Sequence, residues 1–243
     1  MENPVIFHIG PMPVTQALFA TWCMTALVLA AAAALRLRLR SENPCWAQRI
    51  VEMILDWLGD EIEAIVNRDA RPFIPLIASL FLFIFVSNLS SLVSPLIPGF
   101  RPPTSDITAT AALATVVFLA VPLYGVTMSG PVRYLKTYIE PTLIMLPMNV
   151  ISELSRTLAL AVRLFGNIFS GEVLFMVILS LIPYVVHEAV VFTVVPLGFQ
   201  LFIMFLSLLT GAIQAYIFAI LATVYIGGAV KTGERKLKEE AAQ

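Results

Sequence analysis

The chain has 243 residues, 59% of them hydrophobic and only 13% charged, with a formal net charge of −1 and a mean hydropathy of +0.89. A soluble domain of this length carries about a quarter charged residues, so the composition excludes an ordinary soluble protein. It predicts an all-α, polytopic membrane protein, a single membrane domain over 1–243 embedded in a lipid bilayer, and nothing in the charge balance points to a nucleic-acid partner.

The first apolar run, 14–35, is long enough to span a bilayer and ends in "RLRLR", with Arg36, Arg38 and Arg40. The positive-inside rule puts that flank in the cytoplasm and the N-terminus outside. No Lys or Arg precedes Arg36, so the run does not read as a cleaved secretory signal. Cys23 and Cys45 are the only cysteines; they fit no metal-ligand or CxxC spacing and read as free thiols. Over 44–66, Val51, Ile54, Leu55, Leu58, Ile62 and Ile65 recur at helical spacing, while Glu52, Asp56, Asp60 and Glu63 fall largely elsewhere. That predicts an amphipathic helix, lying on the cytoplasmic surface or packed on a partner.

A second span is predicted over 73–96 and a third over 107–128, joined by the Pro-rich "PGFRPPTSD". Asn88 and Ser90, inside the second span, read as helix–helix hydrogen-bonding groups. The pattern then changes. The stretches 148–182 and 197–229 each read as one helix, about 50 Å long at 1.5 Å per residue, against a hydrocarbon core of about 30 Å. They either break or lie strongly tilted as a long membrane hairpin, and we favour the hairpin. The tail "KTGERKLKEEAAQ" is charged and is placed in the cytoplasm.

Arg163 lies mid-way along the first long helix among apolar residues. Arginine at bilayer depth costs about 2.5–3.5 kcal/mol on insertion scales, and a guanidinium does not escape that cost by losing its proton. It therefore needs an anion, carbonyls or water. Glu153 and Arg156, three apart, share a face and can form a structural ion pair. Glu172 is nine residues beyond Arg163, about 13.5 Å along the axis and half a turn round it, so it is no partner on a straight helix. The second long helix offers Gln200, Ser207, Thr210 and Gln214 but no acid. The counter-charge of Arg163 is expected from another chain, the alternative being an internal pair made by a helix break or water. Asn167 shares its face with Arg163. Gly166, Ser170 and Gly171 thin the helix nearby, as Gly211, Ala212 and Ala215 do around Gln214. Glu172 is a candidate proton-relay group for an aqueous path.

"RLFGNIFSGE" (Arg163 to Glu172) followed by "IQAYIF" (Ile213 to Phe218) resembles subunit a of the F-type rotary ATP synthases. "ISELSR" (Ile151 to Arg156), "PPTSDITATAALA" (Pro102 to Ala114) and the region of Asn88 and Leu89 support it. The resemblance covers about 73–229. It implies a non-catalytic, cofactor-free stator subunit of the bacterial plasma membrane, coupling proton or sodium flow to rotation. The implied partners are a ring of c subunits, peripheral-stalk b subunits and the rest of the complex. Arg163 would face the rotor carboxylates, with Asn167 and Gln214 supporting it and Glu172 in one of two ion half-channels. Where the family often carries an ionisable residue, seven positions before the QAY glutamine, this chain has Ser207; where "SRP" would be familiar it has Ser155, Arg156 and Thr157. His187, Glu188 and Ser170 are further half-channel candidates. The competing reading is a stand-alone secondary ion transporter, which would be expected to show internal repeats; none is present. With His8 and His187 the only histidines, and no HExxH or GxSxG, there is no recognisable enzyme or metal constellation.

Overall fold

The computed structural model describes residues 5–9, 12–37, 46–91, 102–132, 134, 145–185 and 191–241, and among these a short β-ribbon precedes six long helices. The helices are α1 (Gln16–Leu37), α2 (Trp46–Val66), α3 (Ile74–Ser90), α4 (Ile107–Ser129), α5 (Met145–Val185) and α6 (Val191–Ala241). A single 3-10 turn, Pro103–Ser105, leads into α4. The ribbon pairs β1 (Val5–Ile9) with β2 (Met12–Thr15) in antiparallel register, Ile9 opposite Met12 and His8 opposite Pro13. It was not expected; its signal is two β-prone pieces on either side of Gly10–Pro11.

The helical expectation holds, and α4 and α6 contain stretches, Ile107–Met128 and Leu201–Val230, long and apolar enough to cross a membrane. Two helices extend past prolines and charges that the sequence pattern reads as stops. α5 starts ahead of Pro147 and runs past Pro183; a proline in the first turn removes only an N–H that has no intrahelical partner. α6 continues past Pro196 and through the charged tail to Ala241. α3 ends at Ser90, and the remainder of the predicted 73–96 span beyond residue 91 lies outside the described residues.

The chain divides into two compact units. The first comprises Met1–Val28, Phe83–Thr110 and Val162–Tyr216; the second Leu29–Leu82, Ala111–Ala161 and Ile217–Gln243. In the second, α2 lays Leu58, Ile62 and Val66 into a core shared with Phe73, Ile77, Phe218 and Ile226. A Cβ on Gly227 would meet Val66 Cγ2 at 3.2 Å, so α6 comes close to α2 because that position is glycine. Trp57 meets Phe81 edge-on at 6.3 Å. Phe73 stacks on Tyr124 at 5.3 Å, and the Tyr124 hydroxyl donates to the Pro72 carbonyl at 2.9 Å. The main apolar face of α2 is thus covered by its own chain. Asn67 ends α2 in the left-handed region, φ 57°, a conformation asparagine tolerates better than most side chains.

The first unit is held by polar groups as much as apolar ones. Leu164, Ile168, Ile203 and Ala215 are buried with Ser87, Asn88, Thr104 and Gln214. Asn88 Nδ2 donates to the Gly211 carbonyl at 2.8 Å, and Asn88 Oδ1 accepts from Thr104 Oγ1 at 3.1 Å. This is the helix–helix role expected of Asn88. Ser90 instead bonds locally, to the Ser87 carbonyl at 2.6 Å.

Candidate functional site

Because α5 is unbroken over 41 residues, its face can be read by register at about 100° per residue. Asn149, Ser152, Arg156, Arg163, Asn167 and Ser170 then fall within about 40° of one line along the helix. Glu172 lies half a turn away from it. Both arginines and both asparagines of α5 lie on this stripe, while Glu153, Ser155, Thr157, Glu172 and Ser180 lie off it.

In the first unit, Arg163 is exposed and makes no hydrogen bond or ion pair among the described residues. Its surface neighbours are apolar, with Val162 51% and Phe169 42% exposed, while Leu164 and Ile168 point the other side of the helix into the core. Phe165 stacks on Phe169 at 5.1 Å. A fixed positive charge therefore stands beside exposed apolar side chains, with Asn167 and Ser170 the nearest polar groups on its own face. Asn167 is half-buried, and its carbonyl accepts from Ser170 Oγ at 2.9 Å. Gln214, on α6, is 7% exposed. Ser207 Oγ lies 3.0 Å from where a Cβ on Gly171 would stand, so α5 and α6 approach closely at the residue before Glu172. The Glu172 side chain, together with His187 and Glu188, lies outside the described residues.

The second unit holds a cavity of about 510 Å³. Asn149, Ser152, Glu153 and Arg156 of α5 line it with Tyr134 and Tyr225, over an apolar base of Val121, Val224 and Ala229. The Arg156 guanidinium carbon sits 5.5 Å from the centre of the Tyr225 ring. Glu153, which the sequence pairs with Arg156, borders the same cavity. The cavity itself was missed. The hint in the sequence is Tyr225, whose hydroxyl stands out in a largely apolar stretch.

The family model described as ATP synthase A chain matches residues 18–227. The chain belongs to that family. Among curated relatives, "ATP synthase subunit a 1" of Chlorobium luteolum is 42% identical over 232 residues, 95% of this chain and 96% of that protein. "ATP synthase subunit a 2" of a Bradyrhizobium species is 42% identical over 230 residues, 95% of each chain. "ATP synthase subunit a" of Albidiferax ferrireducens is 39% identical over 242 residues, 98% of this chain and 96% of that protein. Membership makes the chain a bacterial-type ATP synthase subunit concerned with ATP synthesis and ion transport. Its apolar helices belong with the membrane sector of that enzyme.

Proposed function

We propose that this chain is the membrane stator of a rotary ATP synthase, a non-catalytic subunit, one membrane domain throughout, against which a ring of c subunits turns. The observation that carries the reading is Arg163: a permanent cation, exposed beside apolar side chains, with no anion among the described residues. Such a charge is tolerable at bilayer depth only if a neighbour supplies the counter-charge. A rotor carboxylate at mid-membrane is the anion of the right kind in the right place.

The mechanism follows from electrostatics. An ion entering by one aqueous half-channel neutralises a rotor carboxylate and lets it pass into lipid. After nearly a full turn the carboxylate meets the second half-channel, loses its ion and is drawn to Arg163. A guanidinium that stays protonated passes no proton across, so the same residue prevents a short circuit between the half-channels. Each charge moved is worth about 2.3 kcal/mol per 100 mV.

Two further groups support Arg163. Asn167 lies one turn along the same face. α5 and α6 are joined by only five residues, which makes them antiparallel neighbours. Counting eight residues back from Gly171 to Arg163, and eight on from its neighbour Ser207, brings Ala215 and Gln214 level with the arginine. Glu172 belongs to the outer half-channel, with Ser170, Ser207, His187 and Glu188 as candidates beside it. The polar cavity at Ser152, Glu153 and Arg156 supports a second aqueous opening at the cytoplasmic ends of α5 and α6. The N-terminus lies outside, the C-terminus in the cytoplasm, and peripheral-stalk b subunits hold the chain against the torque of the ring. The coupling ion is a proton or sodium.

The contact is tested by cysteine cross-linking in membranes holding the whole complex. Asn167→Cys should form a disulfide with a cysteine placed beside the rotor carboxylate, and ATP-driven rotation should be blocked until it is reduced. Cross-linking no greater than that of Leu119→Cys, on α4, would remove the rotor from this face.

A further inference from the structure

α2 is apolar on two opposite sides. Its core face carries Leu58, Ile62 and Val66, at most 1% exposed. Reading the helix at about 100° per residue, Trp46, Ile50, Met53 and Trp57 form a second stripe, roughly opposite the first. These four are 77%, 37%, 68% and 42% exposed. Trp57 stays that open although its ring edge meets Phe81.

A second, acidic stripe borders the exposed one. Glu52, Asp56, Asp60 and Glu63 are all exposed and fall about a quarter turn round from it. Glu52 accepts a hydrogen bond from Gln48 Nε2 at 2.8 Å, and Glu63 caps the Ala70 amide at 3.2 Å. Asp56 and Asp60, between them, hold no hydrogen bond or ion pair among the described residues.

Two occupants could cover exposed tryptophan and methionine: lipid headgroups or another polypeptide. The flank decides between them. Helices that lie on anionic membrane surfaces carry Lys and Arg beside the apolar stripe. Here the flank has four acids against one exposed base, Arg49, so the anionic leaflet repels it. A predominantly acidic flank beside an apolar stripe selects a partner of complementary charge.

We propose that the Trp46–Trp57 face of α2 docks an amphipathic helix of a neighbouring polypeptide, one whose apolar side meets the tryptophan stripe and whose Lys and Arg face Asp56 and Asp60. The stripe is about 16 Å long, the length of three helical turns, and sets the minimum size of the docking segment. The inference does not depend on the rotor-facing role of Arg163, which lies in the other unit.

The test is photo-crosslinking in membranes holding the whole complex, with benzoyl-phenylalanine at Met53 and, as a lipid-facing control, at Leu119. The expected result is a polypeptide adduct at position 53 and lipid adducts alone at 119, with the adducted peptide carrying basic residues three or four apart. Asp56→Lys with Asp60→Lys should lower that adduct at least fivefold at an unchanged level of the chain in the membrane. If the reversed chain fails to accumulate, Asp56→Asn with Asp60→Asn replaces it, and the adduct of the unmodified flank should itself fall with rising salt. Lipid adducts alone at position 53 would overturn the proposal in favour of a membrane-facing helix. A polypeptide adduct indifferent to both charge and salt would overturn it too.

Discussion

Asn88 and Gly211 are joined by a buried hydrogen bond 123 residues apart in sequence, Nδ2 to carbonyl oxygen at 2.8 Å. A Cβ on Gly211 would stand 3.0 Å from Asn88 Cβ, so the bond exists because one partner has no side chain. Asn88→Ala removes it and strands the Thr104 hydroxyl that also relies on Asn88. Interhelical hydrogen bonds in membranes average about 0.6 kcal/mol and reach about 1.7. We expect a loss at the upper end, read as a lower temperature of dissociation for the detergent-solubilised complex. Gly211→Val should lose more, because it also forces α3 and α6 apart. An unchanged temperature for both would show that the two helices do not meet there.

Gly171 and Ser207 make the second close approach, and their coupling is measurable. Gly171→Ala gains the helix preference of alanine, about 0.5–1 kcal/mol, but should lose much of it by crowding Ser207 Oγ, 3.0 Å from the new Cβ. Combined with Ser207→Gly, most of that loss should disappear, leaving an interaction energy of about 0.5–3 kcal/mol in the double-mutant cycle. Strict additivity would contradict the contact.

Arg156 and Tyr225 meet through the ring face, not the hydroxyl. Tyr225→Phe should therefore leave complex stability near that of the parent chain. Tyr225→Leu should cost about 0.5–1 kcal/mol, the range for an exposed cation–π pair. Arg156→Gln should cost about as much, and the two losses should not add. If Tyr225→Phe is as harmful as Tyr225→Leu, the hydroxyl's place in the cavity wall matters more than the ring.

Asn67 offers a control in the second unit, away from the polar sites. Its φ of 57° suits glycine, so Asn67→Gly should leave stability unchanged or slightly raised. A β-branched Asn67→Val should lower it by roughly 1–2 kcal/mol, as read by the same thermal dissociation assay.

Helix content was legible because apolar runs and charge punctuation act locally: α1, α2 and α4 fall within a few residues of their predicted bounds. Proline misled at Pro183 and Pro196, since a helix can absorb one missing hydrogen bond when its neighbours hold it. The β-ribbon escaped notice because strands of five and four residues carry little periodicity. Arg163 stood out because charge inside an apolar helix is expensive wherever the helix packs. The cavity and the Arg156–Tyr225 contact did not, since both depend on which residues of α5 and α6 fall side by side, a tertiary fact with no local signature. The outward stripe of α2 was hidden for a related reason. Helical spacing picks out the face of Leu58 and Ile62, and only the burial of that face shows that Trp46, Ile50, Met53 and Trp57 stand outside the core.

The central claim is that Arg163 is a fixed cation facing a mobile anion in another chain. The most direct measurement is ATP-driven ion uptake into vesicles containing the whole complex, parent against Arg163→Ala, with and without sodium and with an uncoupler. Uptake should vanish in the variant while the complex still assembles; in the parent, uptake that survives the uncoupler identifies sodium, and uptake abolished by it identifies the proton. Normal pumping by Arg163→Ala would make the arginine a structural residue and would contradict the mechanism.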